Sequence, residues 1–400
     1  MLVFAAGVLC FDSGGFFHEP RATLAVAAWL LVAVVALSPI GPQLLPLGGA
    51  ARAALAGLLG LAAWTALSLL WAPMLDPARE DVARLALYAA VLPLAVVAFH
   101  GGWPARALEP ALVAVATIVV GYGLLGKAGA IDVDVSLAAD GRLDQPLSYW
   151  NAMGAMAALG LLLAVRMAID RTRPALHRAI ACACVALLAL GLYLTYSRGA
   201  LAAAALGLAV VVLLAPELAP FWRRVGRRWR LAVGWTAIAA IAVAMVVVAS
   251  DRASAPARGA TAERFSDIGS NRADYWRVAV QSFADDPLLG NGSAAFRVEW
   301  LREREVREGA FDAHSIYLET GAELGLVGLL LLAAFVGGIA LCSVRAARFD
   351  PGLAAGPCAA LSALAFHAGV DWDWEMPALV LPALMLAGVV IGAQRQPVAR

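Results

Sequence analysis

The run Leu324–Cys342, LGLVGLLLLAAFVGGIALC, decides the class of fold, because it has no charged residue over almost the length that crosses a bilayer, about 20 residues. The stretch just before it, Phe311–Glu323, reads FDAHSIYLETGAE and places one Asp, one His and two Glu at its mouth. Ionisable groups at the edge of hydrocarbon are costly and are usually kept for a function. The stretch therefore has two interpretations, a catalytic site or the polar collar of a membrane helix.

The composition extends this reading to the whole chain of 400 residues, which is 62% hydrophobic with a mean hydropathy of +0.79. Such values are typical of membrane proteins, and the net charge of +1 argues against a nucleic-acid partner. All five cysteines stand in apolar runs, which favours packing over metal binding. We predict an all-α polytopic membrane protein, one domain over 1–400, with about twelve spans. The candidate spans are 1–12, 21–38, 51–71, 82–99, 107–127, 149–169, 177–195, 199–216, 231–250, 314–342, 352–370 and 376–394.

Arginines in the short connections predict the orientation. The connections 166–178, 217–230 and 343–351 and the C-terminal tail carry arginines, and all four fall on one side under a twelve-helix count. Cytoplasmic loops carry an excess of Lys and Arg. We therefore expect this side, with both termini, to be cytoplasmic. The opposite short loops hold more acids than arginines.

Residues 251–313 form a long external loop between the ninth and tenth predicted helices. The loop is dense in both signs of charge, and it is predicted to be structured. A short helix is predicted within 271–292 and a second one within 294–308. Structured external loops often carry function.

The first loop helix has recognisable start and stop signals. Asn271 is a candidate N-cap, and Trp276, Val280 and Phe283 repeat at helical spacing, which places them on one face. Asp286-Pro287 and the glycines that follow are predicted to end the helix and turn the chain.

Three motifs together resemble one protein family. Thr195–Ala200 reads TYSRGA, Asn271–Trp276 reads NRADYW and is followed by PLLGNG, and Ala313–Gly328 reads AHSIYLETGAELGLVG. Their order and spacing resemble the O-antigen ligase and O-antigen polymerase superfamily of bacterial membrane glycan transferases. The third motif resembles the family's H-N-x-x-L-E…E-x-G-x-x-G, with Ser315 in place of the more usual Asn.

This resemblance implies a metal-independent enzyme without a cofactor. The implied donor is a glycan linked to undecaprenyl diphosphate, and the acceptor is the hydroxyl of a glycan, lipid or protein. Transfer takes place on the outer face of the cytoplasmic (inner) membrane, among membrane lipids and without nucleic acid.

The chemistry can also be argued from the residues. Transfer from a lipid diphosphate needs cations that bind the leaving group, and the Arg guanidinium offers phosphate a bidentate fork. Arg198, at an external helix end, and Arg272, at the start of the loop helix, are the first candidates. Arg264 and Arg277 are weaker, because salt bridges are the default in a loop with many acids. His314 is the candidate base for the acceptor hydroxyl, since an ordinary His pKa is about 6.5.

Four acidic and imidazole groups are candidates for substrate binding. Glu319 and Glu323 are four residues apart and share a helix face, where they could orient the His, hold an Arg or close a helix end. His367 and Asp371 stand at i and i+4 and could pair on one face, with an acceptor-site or helix-locking role. The surrounding sequence lacks the spacing of a metal site.

The external loop 128–150 supplies one further arginine, Arg142, ahead of Gly154. An external Arg followed by a distant Gly resembles the polymerases of the superfamily, and substrate binding is the role we assign to it. Tyr149, Trp150 and Asn151 could line the glycan path or belong to an aromatic belt at the interface.

Rival functions remain at this point. Ligase, polymerase and protein O-glycosylation share the donor chemistry and are not separated by the sequence. The alternative is a glycan transporter or lipid flippase, which should show mid-span ionisable residues and broken helices in repeated halves. A non-catalytic scaffold is the third reading. The gathering of polar groups at one predicted face favours surface chemistry.

Overall fold

The protein was analysed as a computed structural model, which describes residues 2–38, 47–99, 102–133, 137–226 and 271–393 and a few single positions between 228 and 236. The described residues form α-helices and short 3₁₀ turns and contain no β-strand. The α-helices are α1 Leu2–Cys10, α2 His18–Leu37, α3 Gly49–Ser68, α4 Leu75–Ala98, α5 Gly102–Lys127, α6 Trp150–Ile169, α7 Ala175–Leu194, α8 Arg198–Leu214, α9 Ala219–Val225, α10 Arg272–Asp285, α11 Phe296–Glu303, α12 Ile316–Phe349, α13 Pro351–His367 and α14 Pro377–Gly392.

The predicted spans correspond to helices wherever the structure describes them, and the predicted span 231–250 lies outside the described residues. Six helices, α3 to α7 and α12, are long and apolar enough to cross a membrane. A seventh span results if α8 is joined to the following helical segment, from which it is bent by 61°. The all-helical membrane class is confirmed, while the count of about twelve spans remains a prediction, because α1, α13 and α14 are shorter and α2 counts as an apolar helix only over Arg21–Leu37.

Small residues let α12 lie directly against α3. A Cβ atom added to Gly57 would stand 2.5 Å from the backbone nitrogen of Phe335, and one added to Gly338 would stand 2.6 Å from that of Ala54. Close backbone approach through Gly and Ala is how membrane helices gain packing energy in the absence of a hydrophobic drive. This contact fixes α12, the helix that follows His314.

One end of the bundle, the Arg-rich end, holds a buried ion cluster. Arg166, only 1% exposed, binds Glu217 at 3.2 Å and the Gly352 carbonyl at 3.1 Å. Arg173 binds buried Glu109 at 2.5 Å. The cluster joins the 166–178 connection to the start of the 217–230 connection and the start of α13. Its charges are buried in pairs, as low-dielectric surroundings require.

At the opposite end, α12 is broken at Gly325. This residue has φ +63° and ψ −160°, which divides the helix into segments 316–324 and 326–349. The loop segment Pro287–Gly292, which we call the threaded segment, lies in the gap. The predicted single span 314–342 is therefore wrong in this respect: its polar first part and its apolar second part are separate helical segments.

Backbone groups that the break releases are paired by the threaded segment and by one tryptophan. An unpaired backbone group away from water costs several kcal/mol, so this pairing is what makes the break tolerable. The hydrogen bonds run from Asn291 N to Ala322 O (3.1 Å), Gly292 N to Glu323 O (2.8 Å), Leu326 N to Pro287 O (2.8 Å), Val327 N to Leu288 O (3.5 Å) and Trp64 Nε1 to Leu324 O (3.0 Å). The PLLGNG and E-x-G-x-x-G motifs thus form one joint.

The first loop helix, α10, exists as predicted but differs in detail. Asn271 stands at the N-cap position, yet its side chain binds Glu308 and caps no helix amide. Trp276 is buried, whereas Val280 is 54% exposed, so the predicted apolar face is wrong. The buried residues of α10 are Tyr275, Trp276, Val278, Ala279 and Ser282.

The second loop helix, α11, spans Phe296–Glu303 and is shorter than the predicted 294–308. Phe296 and Trp300 are fully buried and pack with Tyr275 of α10. The described part of this loop therefore packs into an apolar cluster that it shares with Ala322 and Val370.

Candidate functional site

His314 lies just before α12, in the left-handed backbone region, with φ +54°. Its Nδ1 lies 3.0 Å from the Asp312 carbonyl oxygen, and its ring lies 4.9 Å from that of Tyr275. A ring that donates Nδ1–H to a carbonyl keeps the lone pair on Nε2. This contact leaves Nε2 as the ring nitrogen that can accept a proton.

Two hydrogen bonds hold the backbone on either side of His314. The Glu319 carboxylate accepts the Ala313 amide at 2.7 Å, and the Ile316 amide binds the Ala368 carbonyl at 2.9 Å. A non-glycine residue at positive φ persists only where its surroundings enforce that conformation. Glu319, a predicted substrate-binding residue, here turns back toward the His314 backbone.

Asp371 lies at the centre of a buried polar network and is 1% exposed. It accepts hydrogen bonds from the Arg272 guanidinium, the Tyr149 hydroxyl at 2.7 Å and the Asn151 amide at 2.6 Å. Burial raises the pKa of Asp371, but Arg272 and the nearby imidazoles outweigh it, and the net pKa is lowered. The pair is therefore ionic, and Tyr149 and Asn151, predicted for the glycan path, contact this carboxylate.

His314 belongs electrostatically to the same group. Burial lowers the pKa of His314, the Asp371 carboxylate raises it and Arg272 lowers it, with a net downward shift. His314 is consequently neutral near pH 7, the state that a general base needs. Arg272 lies near enough to His314 to act on its charge, which is the proximity that the sequence left open.

His367 pairs with Asp373 and not with Asp371, so the predicted i,i+4 pair is wrong. The reason is that α13 ends at His367, which leaves Asp371 outside the helix face. The ring packs against α8, where a methyl group on Gly199 would lie 3.2 Å from His367 Nε2. Arg198, next to Gly199, is partly buried and is the first residue of α8. Arg198 thus lies at the same end of the bundle as Asp371.

A carboxylate cluster lies beneath His314. Asp312, Glu319 and Glu375 each bring an oxygen within 4.8 Å of the others, and the Arg84 guanidinium binds Glu375. A cavity of about 40 Å³ joins Glu319 and Glu375 to Asp371. The three carboxylates could together hold a metal ion, and Arg84 already supplies positive charge to the cluster.

Asp312 shows the cost of this crowding. Burial raises the pKa of Asp312 to about 6, against the opposing effects of Arg297 and Arg84. Its ordinary value is near 3.9. The carboxyl group of Asp312 is therefore partly protonated near pH 6.

Two other predicted residues, Glu323 of α12 and Arg277 of α10, contact the loop around α11. Glu323 accepts the Phe296 amide at 3.1 Å and so closes the start of α11. Arg277 binds the Glu303 carbonyl at 3.2 Å and Glu305 at 3.3 Å on the outer surface. The structure does not bring Arg277 to His314, and salt bridging accounts for it.

Arg142 is held by its own loop. Its guanidinium donates to the carbonyls of Ala139 at 2.6 Å and Ala138 at 2.9 Å, and it lies 3.4 Å from the Trp150 ring centroid. Arg264 lies outside the described residues.

Sequence reasoning missed Asp373, Tyr275 and Arg84. Asp373 had a signal, since it shares D-W-D with Asp371, but the choice between the two aspartates depends on where α13 ends. Tyr275 and Arg84 reach the site from distant elements and have no local signature.

An apolar cavity of about 610 Å³ opens beside the site. Its walls come from α8, α12, α13 and α14. It extends from Ile316 and Asp373 at the site to Arg348 at the far end of α12. A cavity of this length and lining suits a hydrocarbon chain.

The comparisons agree with the three motifs. Residues 183–333 match the sequence model of a family described as O-antigen ligase, a segment that contains Arg198, Arg272, His314 and the joint at Gly325. No curated protein matches the chain. This match over 183–333 supports the resemblance of the chain to the O-antigen ligase and polymerase superfamily.

Proposed function

We propose that the protein transfers a glycan from undecaprenyl diphosphate to an acceptor hydroxyl at the outer face of the cytoplasmic membrane, without a metal ion. One observation carries the proposal. Residues far apart in the sequence, Arg272, His314 and Asp371, meet at one end of a membrane bundle, beside the start of α8 and an apolar cavity.

The donor has two chemically different parts, and the protein offers a place for each. The cavity of about 610 Å³ suits the polyprenyl chain, because its lining is almost wholly apolar. Arg198 and Arg272 suit the diphosphate, since guanidinium groups bind phosphate oxygens and stay charged.

In the proposed step the acceptor oxygen attacks the anomeric carbon of the donor glycan. The bond between that carbon and the diphosphate oxygen breaks, and the diphosphate leaves with both electrons. His314 Nε2 takes the hydroxyl proton, and the Asp371 carboxylate stabilises the imidazolium. Arg198 and Arg272 stabilise the charge that develops on the leaving group.

The orientation follows from the two ends of the bundle. The Arg-rich end is assigned to the cytoplasm by the positive-inside rule, with both termini on that side. The site end then faces outward, where lipid-linked glycans meet their acceptors.

The transporter alternative predicts that unwound backbone coordinates the substrate. The helix is unwound at Gly325, but the backbone groups that the break releases are bonded to the threaded segment. The break therefore has a structural role and does not offer these backbone groups to a substrate, which favours the transferase over the transporter.

The test is a transfer assay with purified protein, a labelled undecaprenyl-diphosphate glycan and a panel of acceptors, in the presence of a chelator. Removal of a general base costs about 10²–10⁴-fold, so His314→Ala should lower the rate by at least about 100-fold. Arg272→Lys keeps the charge and loses the fork, and should lower the rate by about tenfold or more. His177→Ala, on an exposed position of α7, is the matched control.

All variants should keep the wild-type melting temperature. Wild-type protein that moves the lipid-linked glycan across a bilayer without consuming it would refute the transferase. Loss of activity with the chelator would refute the metal-free step. Near-normal transfer by His314→Ala would remove this residue from the mechanism.

A further inference from the structure

His367 carries a buried polar atom that the transfer step does not use. The side chain is 0% exposed, its Nδ1 faces Asp373, and its Nε2 has no hydrogen-bond partner among the described residues. Buried polar atoms without a partner are rare in folded proteins, and each one asks for an explanation. A ligand is one such explanation.

The imidazole edge is directed at the first turn of α8. A methyl group at Gly199 would lie 3.2 Å from Nε2 and 3.4 Å from Cδ2. α8 is 17 residues long, and its N-terminal amides attract anions through their unpaired N–H groups and the helix dipole.

Two amides of this turn are already bonded within the turn. The Ser197 hydroxyl accepts the Ala200 amide at 3.2 Å, and the Ser197 carbonyl accepts the Leu201 amide at 3.0 Å. The Gly199 amide has no acceptor in the part of the chain that the structure describes. Gly199 and His367 Nε2 thus face each other at the first turn of α8, next to Arg198.

We propose that His367 is a second imidazole of the donor site, where its Nε2–H and the Gly199 amide bind one oxygen of the diphosphate. This inference rests on the proposed function and assigns a subsite within it. Asp373 accepts Nδ1–H, which directs the other ring proton toward α8 and balances the imidazolium charge. His367 binds and does not exchange a proton with the acceptor, which separates its role from that of His314.

The inference explains two sequence features together. Glycine at 199 leaves open the space between α8 and the imidazole, where a side chain would be tight. The position of Asp373 two residues beyond Asp371 gives each buried carboxylate its own cation, Arg272 for one and His367 for the other.

The test uses three variants in nanodiscs of zwitterionic lipid. His367→Phe keeps the ring volume and removes the donor, His367→Gln keeps an N–H donor, and Gly199→Ala fills the space at Nε2. His177→Phe is the control. Binding of inorganic pyrophosphate and of undecaprenyl diphosphate is measured by calorimetry, and the KM and kcat of transfer are measured separately.

His367→Phe and Gly199→Ala should weaken pyrophosphate binding about tenfold, the loss expected for a hydrogen bond to a charged group. KM for the donor should rise by the same factor while kcat changes less than threefold. His367→Gln should stay within about threefold of the wild type in both.

Unchanged pyrophosphate affinity in Gly199→Ala and in a folded His367→Phe would overturn the inference. The inference would also be overturned if phosphatidylglycerol bound in a way that depends on His367 and pyrophosphate did not compete with it. The subsite would then hold a lipid headgroup. If the wild-type protein shows no transfer activity but binds pyrophosphate, and this binding is lost in His367→Phe, the proposed function is refuted and the anion subsite stands.

Discussion

Replacement of Gly325 by alanine should disrupt the joint in α12. Gly325 has φ +63°, and a Cβ atom there would lie 2.4 Å from the Leu288 carbonyl oxygen and 2.7 Å from the Gly290 nitrogen. Both neighbours are backbone atoms of the threaded segment, so no side-chain rotation relieves the clash. The segment must move or the helix must change its path.

The expected cost follows from two contributions. A residue forced into this backbone region costs about 1–3 kcal/mol. Displacement of the threaded segment also leaves buried amides such as that of Leu326 unpaired, at about 1–3 kcal/mol each. With one amide unpaired, these predict a loss of about 2–6 kcal/mol. For a chain of this size we expect the melting temperature to fall by roughly 5 °C or more.

The assay is thermal unfolding in detergent, followed by intrinsic tryptophan fluorescence. Gly337→Ala is the matched control, because it lies on the same helix with no atom within 4 Å of the added Cβ. That variant should melt at or slightly above the wild-type temperature, since alanine favours a helix by up to about 1 kcal/mol. A Gly325→Ala protein that melts within about a degree of the control would show that the joint does not constrain this residue.

Two pH dependences follow from the site. Because burial and Arg272 lower the pKa of His314 against the effect of Asp371, the acid limb of the transfer rate should have its midpoint below the ordinary 6.5, and Asp371→Asn should move it lower still. An upward move of the limb in a pH–rate series would contradict this assignment. Because burial raises the pKa of Asp312 to about 6, the folded state binds this proton more tightly than the unfolded state, and stability is lost as pH rises through that range. Asp312→Asn should therefore stabilise the protein by about 1 kcal/mol at pH 7.5, after allowance for partial exposure, and by little at pH 4; equal melting shifts at both pH values would refute the coupling.

The helices were accessible to sequence reasoning because hydropathy and turn residues act locally. The predicted 177–195 and the observed Ala175–Leu194 differ by two residues or fewer at each end. The joint at Gly325 was not accessible. Its glycines are visible in the sequence, but the segment that pairs with it, Pro287–Gly292, lies more than thirty residues earlier. Hydrophobic periodicity does not predict which distant segments pair.

The candidate site divides in the same way. His314 and Arg272 were chosen for their chemistry, and the structure places them in one electrostatic group with Asp371. The pairing of His367 went wrong because i,i+4 contact requires a continuous helix, and the end of α13 was uncertain. Arg277 illustrates the opposite limit, since charge alone does not show on which face of a helix an arginine lies.

The threaded segment also bears on how such proteins can be recombined. Its backbone groups pair with amides and carbonyls of segments 316–324 and 326–349 that the break leaves without a helical partner. Trp71, in the neighbouring connection, donates a hydrogen bond to the Gly290 carbonyl at 3.1 Å. A loop grafted in place of 251–313 from an O-antigen ligase would therefore have to bring its own matched copy of Pro287–Gly292. Chimaeras whose junction lies in the loop before Pro287 keep this segment together with α12 and should insert and assemble. Chimaeras whose junction lies between Gly292 and His314 would combine the segment of one protein with the α12 of another.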